Sequence, residues 1–336
     1  MTDSGRRSEP ALVRAWYSGA VWLWLLRPLE LLYRLLTGLR RYAYRAGFLP
    51  RYRAPVPIVI VGNITVGGTG KTPVVIALVE ALQARGLHPG VVSRGYGAAA
   101  AAVFPHRVGD DSSAADCGDE PLLIYQRTGA PCVVAPDRPA AVRALLAQEP
   151  VDLVLCDDGL QHYALDRDLE IALLDGERGL GNGFCLPAGP LRESAGRLRE
   201  VDWVLHRGGS DPQTAVSYRN DGLVQLLPDA GAAPPEPGSA VHGVAGIGQP
   251  AQFFATLESM GYRVAAHRFA DHHAFVADDF AALGDRPVIM TEKDAVKCRD
   301  FARGGQLATQ LWYLKISAAL PPALVDRIVA LARPSS

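Results

Sequence analysis

Apolar positions along the chain fall into two regimes. From Ala11 to Phe48, Leu, Trp and Tyr residues recur among arginines in a pattern that predicts helix. From Ile58 onward, short apolar runs alternate with helical segments. Ile58 to Val61 is β-branched without a polar break, as a central parallel strand covered on both faces requires. Helices are expected over Thr72 to Arg85, Asp119 to Arg127 and Asp137 to Leu146. Strands are expected near Gly90 to Ser93, Cys132 to Ala135, Asp152 to Cys156, Leu169 to Leu174 and Val201 to His206. Such alternation predicts an α/β fold, a parallel sheet with flanking helices.

A stretch rich in Pro, Gly and Ala from Asp229 to Ser239 interrupts the pattern. Beyond it, strands are expected at Val241 to Ala245, Tyr262 to Arg268, Pro287 to Met290 and Leu311 to Ile316. Helices are expected at Ala251 to Met260 and Pro321 to Ala332. The expected organisation is a helical segment over 1–54, a core over 55–228, a linker over 229–240 and a smaller C-terminal α/β lobe over 241–336. Two lobes with a cleft between them would result.

Charge changes the picture only at the N-terminus. The net charge is −1, which gives no reason to expect nucleic-acid binding, yet Ala11 to Arg53 carries eight arginines against one acid, Glu30. The longest uncharged run there, between Arg14 and Arg27, has twelve residues. That falls short of the roughly 20 residues a spanning helix needs. Pro28 bends or restarts the helix. Arg6 and Arg7 precede the apolar run, but no small-residue cleavage pattern follows, so a secretory signal is not expected. An amphipathic segment lying on an anionic membrane surface is expected, with a hairpin packed on the body as the alternative. Five scattered cysteines without CxxC spacing read as buried thiols, not as a disulfide or zinc framework.

The chemistry begins where the first strand ends. Gly62-Asn63-Ile64-Thr65-Val66-Gly67-Gly68-Thr69-Gly70-Lys71-Thr72 follows a strand and opens a helix. Glycines let backbone N–H groups converge on phosphate oxygens, and the helix N-terminus adds partial positive charge. Residues Thr65, Val66, Gly67, Gly68, Thr69 and Gly70 would form the cradle. Lys71 would reach the β- and γ-phosphates of ATP, and the Thr72 hydroxyl would ligate Mg²⁺. The strict GxxxxGK[ST] pattern has glycine where this chain has Thr65. A second apolar strand ends in Asp157-Asp158-Gly159, the position of the acid that binds Mg²⁺ directly or through water in P-loop enzymes. Either aspartate suits that role.

Further segments occur in order: Ser93-Arg94-Gly95-Tyr96-Gly97, Gly118-Asp119-Glu120-Pro121, Asp157 to His162, Pro187 to Glu193, Asp271-His272-His273 and Thr291-Glu292-Lys293-Asp294. Together with the glycine-rich loop they resemble the tetraacyldisaccharide 4′-kinase family of the lipid A pathway, over nearly the whole chain. The family's loop looks the same at position 65. The resemblance implies a P-loop NTPase-like fold and ATP- and Mg²⁺-dependent phosphorylation of the 4′-hydroxyl of an acylated disaccharide 1-phosphate lipid. It also implies a peripheral place at the cytoplasmic face of the inner membrane. It implies an aspartate–histidine base dyad, which falls by motif on Asp119 and His272, and makes Glu120 and Glu193 candidate Mg²⁺ or active-site acids.

The residues permit the same chemistry unaided, because a sugar hydroxyl needs a proton acceptor and a carboxylate held by a histidine is one. Asp119 could equally cap a helix, and His273 competes with His272. Arg94 and Lys293 are candidate phosphate contacts or solvated charges. A GTPase switch is the main rival, but guanine recognition calls for Asn-Lys-x-Asp and Thr291-Glu292-Lys293-Asp294 fits it poorly. A soluble P-loop kinase or ligase with a helical dimer interface is the other.

Overall fold

In this computed structural model the described residues are 11–227, 231–281, 283–302 and 311–333. Arg6 and Arg7, and Asp229 and Ala230 of the expected linker, lie outside them.

The chain begins with α1 (Ala11–Ser18), a 3-10 turn at Val21–Leu26 and α2 (Arg27–Arg45). Pro28 sits in the first turn of α2, where a missing N–H costs nothing, so it restarts the helix. The strand β1 (Ile58–Gly62) leads through the glycine-rich loop to α3 (Lys71–Ala84). Next come β2 (Pro89–Ser93), β3 (His106–Arg107), α4 (Ala114–Cys117), α5 (Asp119–Thr128) and β4 (Cys132–Val134). They are followed by α6 (Arg138–Gln148), β5 (Leu153–Asp157), β6 (Leu169–Asp175), β7 (Trp203–Arg207) and β8 (Ala215–Gln225). The remainder is β9 (Ala240–Ala245), α7 (Pro250–Ser259), β10 (Arg263–Arg268), α8 (Asp278–Ala281), β11 (Val288–Thr291), α9 (Glu292–Ala302), β12 (Leu311–Ala319) and α10 (Pro322–Ala332).

These elements form two compact units that are discontinuous in sequence. The first contains residues 1–94, 130–217 and 318–336; the second contains 95–129 and 218–317. The boundaries expected from composition therefore shift. Gly95 to Gly129, inside the expected core, belongs to the second unit, and α10 belongs to the first.

In the first unit the strand order is β7-β6-β1-β5-β2-β4, with parallel pairing throughout. β1 lies at the centre, and Val61 is in register with Asp157 of β5. That register brings the glycine loop and the acidic turn to the same carboxyl end of the sheet, where α/β folds bind ligands. All residues of β1, β5 and β6 are buried, which explains their largely apolar sequences, broken by Glu170 in β6 and by Asp157 and Asp175 at the strand ends.

In the second unit β10-β9-β11-β12 are consecutive and parallel. Two apolar clusters cover this sheet, one around Phe275, Phe280 and Met290, the other around Phe253, Phe254 and Trp312. Besides the short β3, α4 and α8, two longer elements escaped the sequence pattern. β8 carries Arg219-Asn220-Asp221-Gly222 at its middle, which reads locally as a turn and is overridden by pairing within a sheet. α9 is too charged to show an apolar stripe. Its first turn is closed by Thr291, whose hydroxyl donates to Asp294 Oδ2 at 2.6 Å and accepts the Asp294 N–H at 3.2 Å. Asp294 also accepts the Gly246 N–H at 2.9 Å.

All five cysteines are buried and free, as inert thiols should be.

Candidate active site

The cradle is built from its own side chains as well as its backbone. Gly70 holds φ +84° at the start of α3, a left-handed conformation that glycine adopts without strain. Asn63 is buried at the end of β1, and its amide donates to Thr69 Oγ1 at 3.1 Å and Thr65 Oγ1 at 3.4 Å. Thr65 is thus a buried strut inside the loop, a role glycine could not fill. The loop is pinned from outside as well: the Val66 N–H donates to Pro190 O at 2.8 Å and the Arg192 N–H to Ile64 O at 2.7 Å.

Lys71 Nζ donates to Asn63 Oδ1 at 3.3 Å and lies 3.4 Å from Asp158 Oδ1. Arg192 pairs with the same carboxylate at 3.0 Å. Burial pushes the Asp158 carboxyl up, but the charges of Lys71 and Arg192 outweigh it and hold it at about 2. Asp158 takes φ +50°, a strained conformation of the kind that clusters at functional sites. Asp157 is buried at the end of β5 and accepts the Ser93 hydroxyl at 3.4 Å. Thr72, Asp157 and Asp158 carry oxygen donors of the hard kind that could hold Mg²⁺.

Glu193 has other partners. It accepts from Gln161 Nε2 at 3.1 Å and from the Tyr163 hydroxyl, and Arg197 Nε lies 3.8 Å away. Gln161 also donates to the Asn63 carbonyl at 3.2 Å. The acid expected as a metal ligand is therefore the middle of a chain of hydrogen bonds from the cradle to Tyr163.

The second unit assembles the other candidates. Gly118 initiates α5 at φ +88°, and a Cβ there would meet the Tyr96 carbonyl at 2.4 Å, so only glycine fits. Asp119 follows, almost fully buried. His272, at φ +59°, presents Nδ1 at 3.0 and 3.1 Å from its two oxygens. An ionised carboxylate only accepts, so Nδ1 carries the proton. Nε2 lies 3.4 Å from Lys293 Nζ. His273 points elsewhere, with Nε2 2.9 Å from Asp279 and its ring against Phe269 and Phe275.

Lys293 is the charge hub, 3.0 Å from Glu120, 3.6 Å from Asp271 and 3.9 Å from Asp119. Burial works to lower its pKa, and the three carboxylates overcome that and raise it, so it stays charged. Burial likewise works to raise the Asp119 carboxyl. The His272 hydrogen bond and the charges of Lys293 and Lys297 prevail and hold it below the ordinary range. Asp119, Glu120 and His272 form, among the described residues, the one group of three metal-ligand types whose ligand atoms lie within 4.8 Å. The Lys293 ammonium already supplies positive charge there, which fits an ion-pair cluster better than a cation site.

A cavity of about 340 Å³ opens on this cluster, lined by Asp119, His272 and Lys297 with Ala114, Phe275 and Val296 among its apolar walls. Lys297, missed from sequence, lies 3.8 Å from Asp119 and 2.8 Å from Asp294. Its i,i+4 spacing from Lys293 was the available signal, hidden because α9 itself was not predicted. Asn63 and Arg192, also missed, stand inside the quoted motifs. Arg94 is exposed.

The sequence matches known proteins over nearly its whole length. It is 55% identical over 320 residues to a tetraacyldisaccharide 4′-kinase of Ectopseudomonas mendocina, covering 94% of each chain. It is 53% identical over 326 residues to the protein of that name from Azotobacter vinelandii, again covering 94% of each. The fold matches a crystal structure of LpxK from Aquifex aeolicus with a TM-score of 0.72 at 24% identity, over 93% of this chain and all of that one. A sequence model described as tetraacyldisaccharide-1-P 4′-kinase matches residues 22–333. With the phosphate cradle and the Asp119–His272 pair in place, this chain belongs to the tetraacyldisaccharide-1-P 4′-kinase family.

Proposed function

We propose that the chain is an ATP-dependent kinase that phosphorylates the 4′-hydroxyl of a tetraacyldisaccharide 1-phosphate in lipid A biosynthesis. The observation that carries this reading is Lys71, set between Asn63 and Asp158 at a glycine-bounded helix start, in a chain more than half identical to named 4′-kinases. Residues 65–72 hold the nucleotide phosphates, and Lys71 offsets negative charge on the transferring group. Thr72, Asp157 and Asp158 are the residues that would hold Mg²⁺, which neutralises phosphate charge when bound.

Asp119 accepts the hydroxyl proton, while His272 fixes the carboxylate and Lys293 keeps it ionised. A carboxylate held below its usual pKa is a weak base. A loose phosphoryl-transfer transition state tolerates this, because the attacking oxygen loses its proton late. The direct test is a product assay with ATP, Mg²⁺ and the disaccharide 1-phosphate. The expected product carries a second phosphate on the distal sugar. Hydrolysis stimulated by vesicles alone, with no lipid product, would favour a membrane-recruited switch.

The N-terminal segment supports a peripheral place on an anionic inner-membrane surface. Part of it docks on the first unit: Trp16 and Leu23 are buried beside Val66 and Leu186, and the Trp16 indole donates to Pro187 O at 3.0 Å. α2 instead leaves Leu29, Leu31, Leu32, Leu35, Leu36 and Leu39 each more than half exposed, a patch that needs a cover. Half-burial of each leucine in lipid contributes roughly 1 kcal/mol, comparable with about 1 kcal/mol per arginine near an anionic surface. Among the described residues no helix is long and apolar enough to cross a membrane. The triple variant L32E/L36E/L39E is expected to weaken co-sedimentation with phosphatidylglycerol vesicles by at least about tenfold. Retention equal to wild type would remove the surface reading.

A further inference from the structure

A second cavity, in the first unit, is lined by five arginines. Arg41, Arg45, Arg51, Arg167 and Arg197 surround about 140 Å³ together with Tyr44, Tyr163 and Glu170. Their acidic partners are fewer. Arg41 and Arg45 share Glu200, Arg51 pairs with Asp166, and Arg167 and Arg197 share Glu170. With Glu193 3.8 Å from Arg197, five guanidinium groups face four carboxylates, leaving a net positive charge at the cavity.

Buried donors at the cavity are unmatched as well. Arg197 is 2% exposed, and its Nε–H has no hydrogen-bond partner, with the Glu193 oxygen too far at 3.8 Å. The Nε–H of Arg41 is likewise buried without a partner. A buried guanidinium N–H left unmatched costs free energy, and an acceptor anion removes that cost. Guanidinium forks suit the tetrahedral oxygens of phosphate.

We propose that this arginine cavity binds a phosphate monoester, separately from the nucleotide cradle. Its size admits one phosphate group and little more. Arg41, Tyr44 and Arg45 of the lining come from α2, the helix that also carries the exposed leucines, which suits a phosphate attached to a lipid. The proposal rests on the kinase reading for its favoured source, the 1-phosphate of the acceptor. The monoester headgroup of phosphatidic acid shares the chemistry. The wall residue Tyr163 is joined to the cradle through Glu193 and Gln161, so occupancy here bears on the position of Asn63 and the loop.

The test uses the full chain saturated with Mg²⁺ and a non-hydrolysable ATP analogue, which fills the cradle. Inorganic phosphate is titrated at constant ionic strength and followed by phosphorus NMR line broadening. The variant R45Q/R51Q changes the two more exposed arginines and is checked for an unaltered melting temperature. Tyr44→Phe, which keeps every charge, serves as a second variant expected to bind phosphate nearly as wild type does.

Phosphate binding should weaken at least about tenfold in R45Q/R51Q. If the acceptor is the source, its KM rises by a similar factor with kcat kept, and an acceptor lacking the 1-phosphate shows no change. If the bilayer is the source, KM is unmoved and binding to vesicles containing phosphatidic acid falls instead. Absence of phosphate binding by the wild type, or equal binding by R45Q/R51Q, overturns the proposal. Loss of turnover with every acceptor, while phosphate binding persists, would count against the kinase reading alone.

Discussion

Replacing Asp119 with Asn should lower kcat for the disaccharide acceptor by roughly 10²–10⁴, the range a positioned general base contributes. Asn keeps the size of the side chain and removes the negative charge that His272, Lys293 and Lys297 surround. The nucleotide Kd should stay within about twofold, because the cradle belongs to the other unit. His272→Asn should also be slow, and the double variant should be little worse than either single one, since the two act as a pair. Additive losses would mean that the residues work independently. Turnover of Asp119→Asn at the wild-type rate would end the assignment of Asp119 as base.

The pH dependence follows from the sign of the shift. The Asp119 carboxyl is held below the ordinary aspartate range, so the base is already ionised throughout the neutral range. The acid limb contributed by the pair should therefore lie below the ordinary carboxylate pKa of about 4, reported as a property of the pair. A depressed carboxyl also stabilises the fold above its unfolded pKa. That contribution is lost as pH falls through the folded value.

The other large effect is expected at Lys71. Lys71→Met should lower kcat by roughly 10³, as removal of preorganised positive charge at a developing anion does. The side chain stands between Asn63 and Asp158, and without it Asp158 keeps only the Arg192 pair. Because Asp158 is held at about 2 by both cations, its pKa should rise in the variant. Single-turnover phosphate transfer with saturating ATP separates this loss from weaker binding. A rate within tenfold of wild type would deny Lys71 a role in the transition state.

Much of this was legible in the chain itself. β-branched runs buried on both faces declare central parallel strands, and a glycine-rich loop between strand and helix declares a phosphate cradle. These signals are local, set by periodicity and backbone freedom within a few residues, so β1, α3 and β5 appear at nearly their predicted limits. Asp119 and His272 were named from motifs 153 residues apart, but their bond exists only because α5 and the loop carrying His272 fold into one unit. The same applies to Glu193. The resemblance makes it a candidate Mg²⁺ or active-site acid, and the neighbours that define it, Gln161, Tyr163 and Arg197, are gathered by the fold. β8 and α9 were hidden because their polar sequences are stabilised by pairing and ion contacts with distant segments. Sequence determined the elements and the nucleotide loop, since these rest on short-range sterics and patterning. Tertiary structure decided which charges meet, because electrostatic partners are fixed by distance in space and not along the chain.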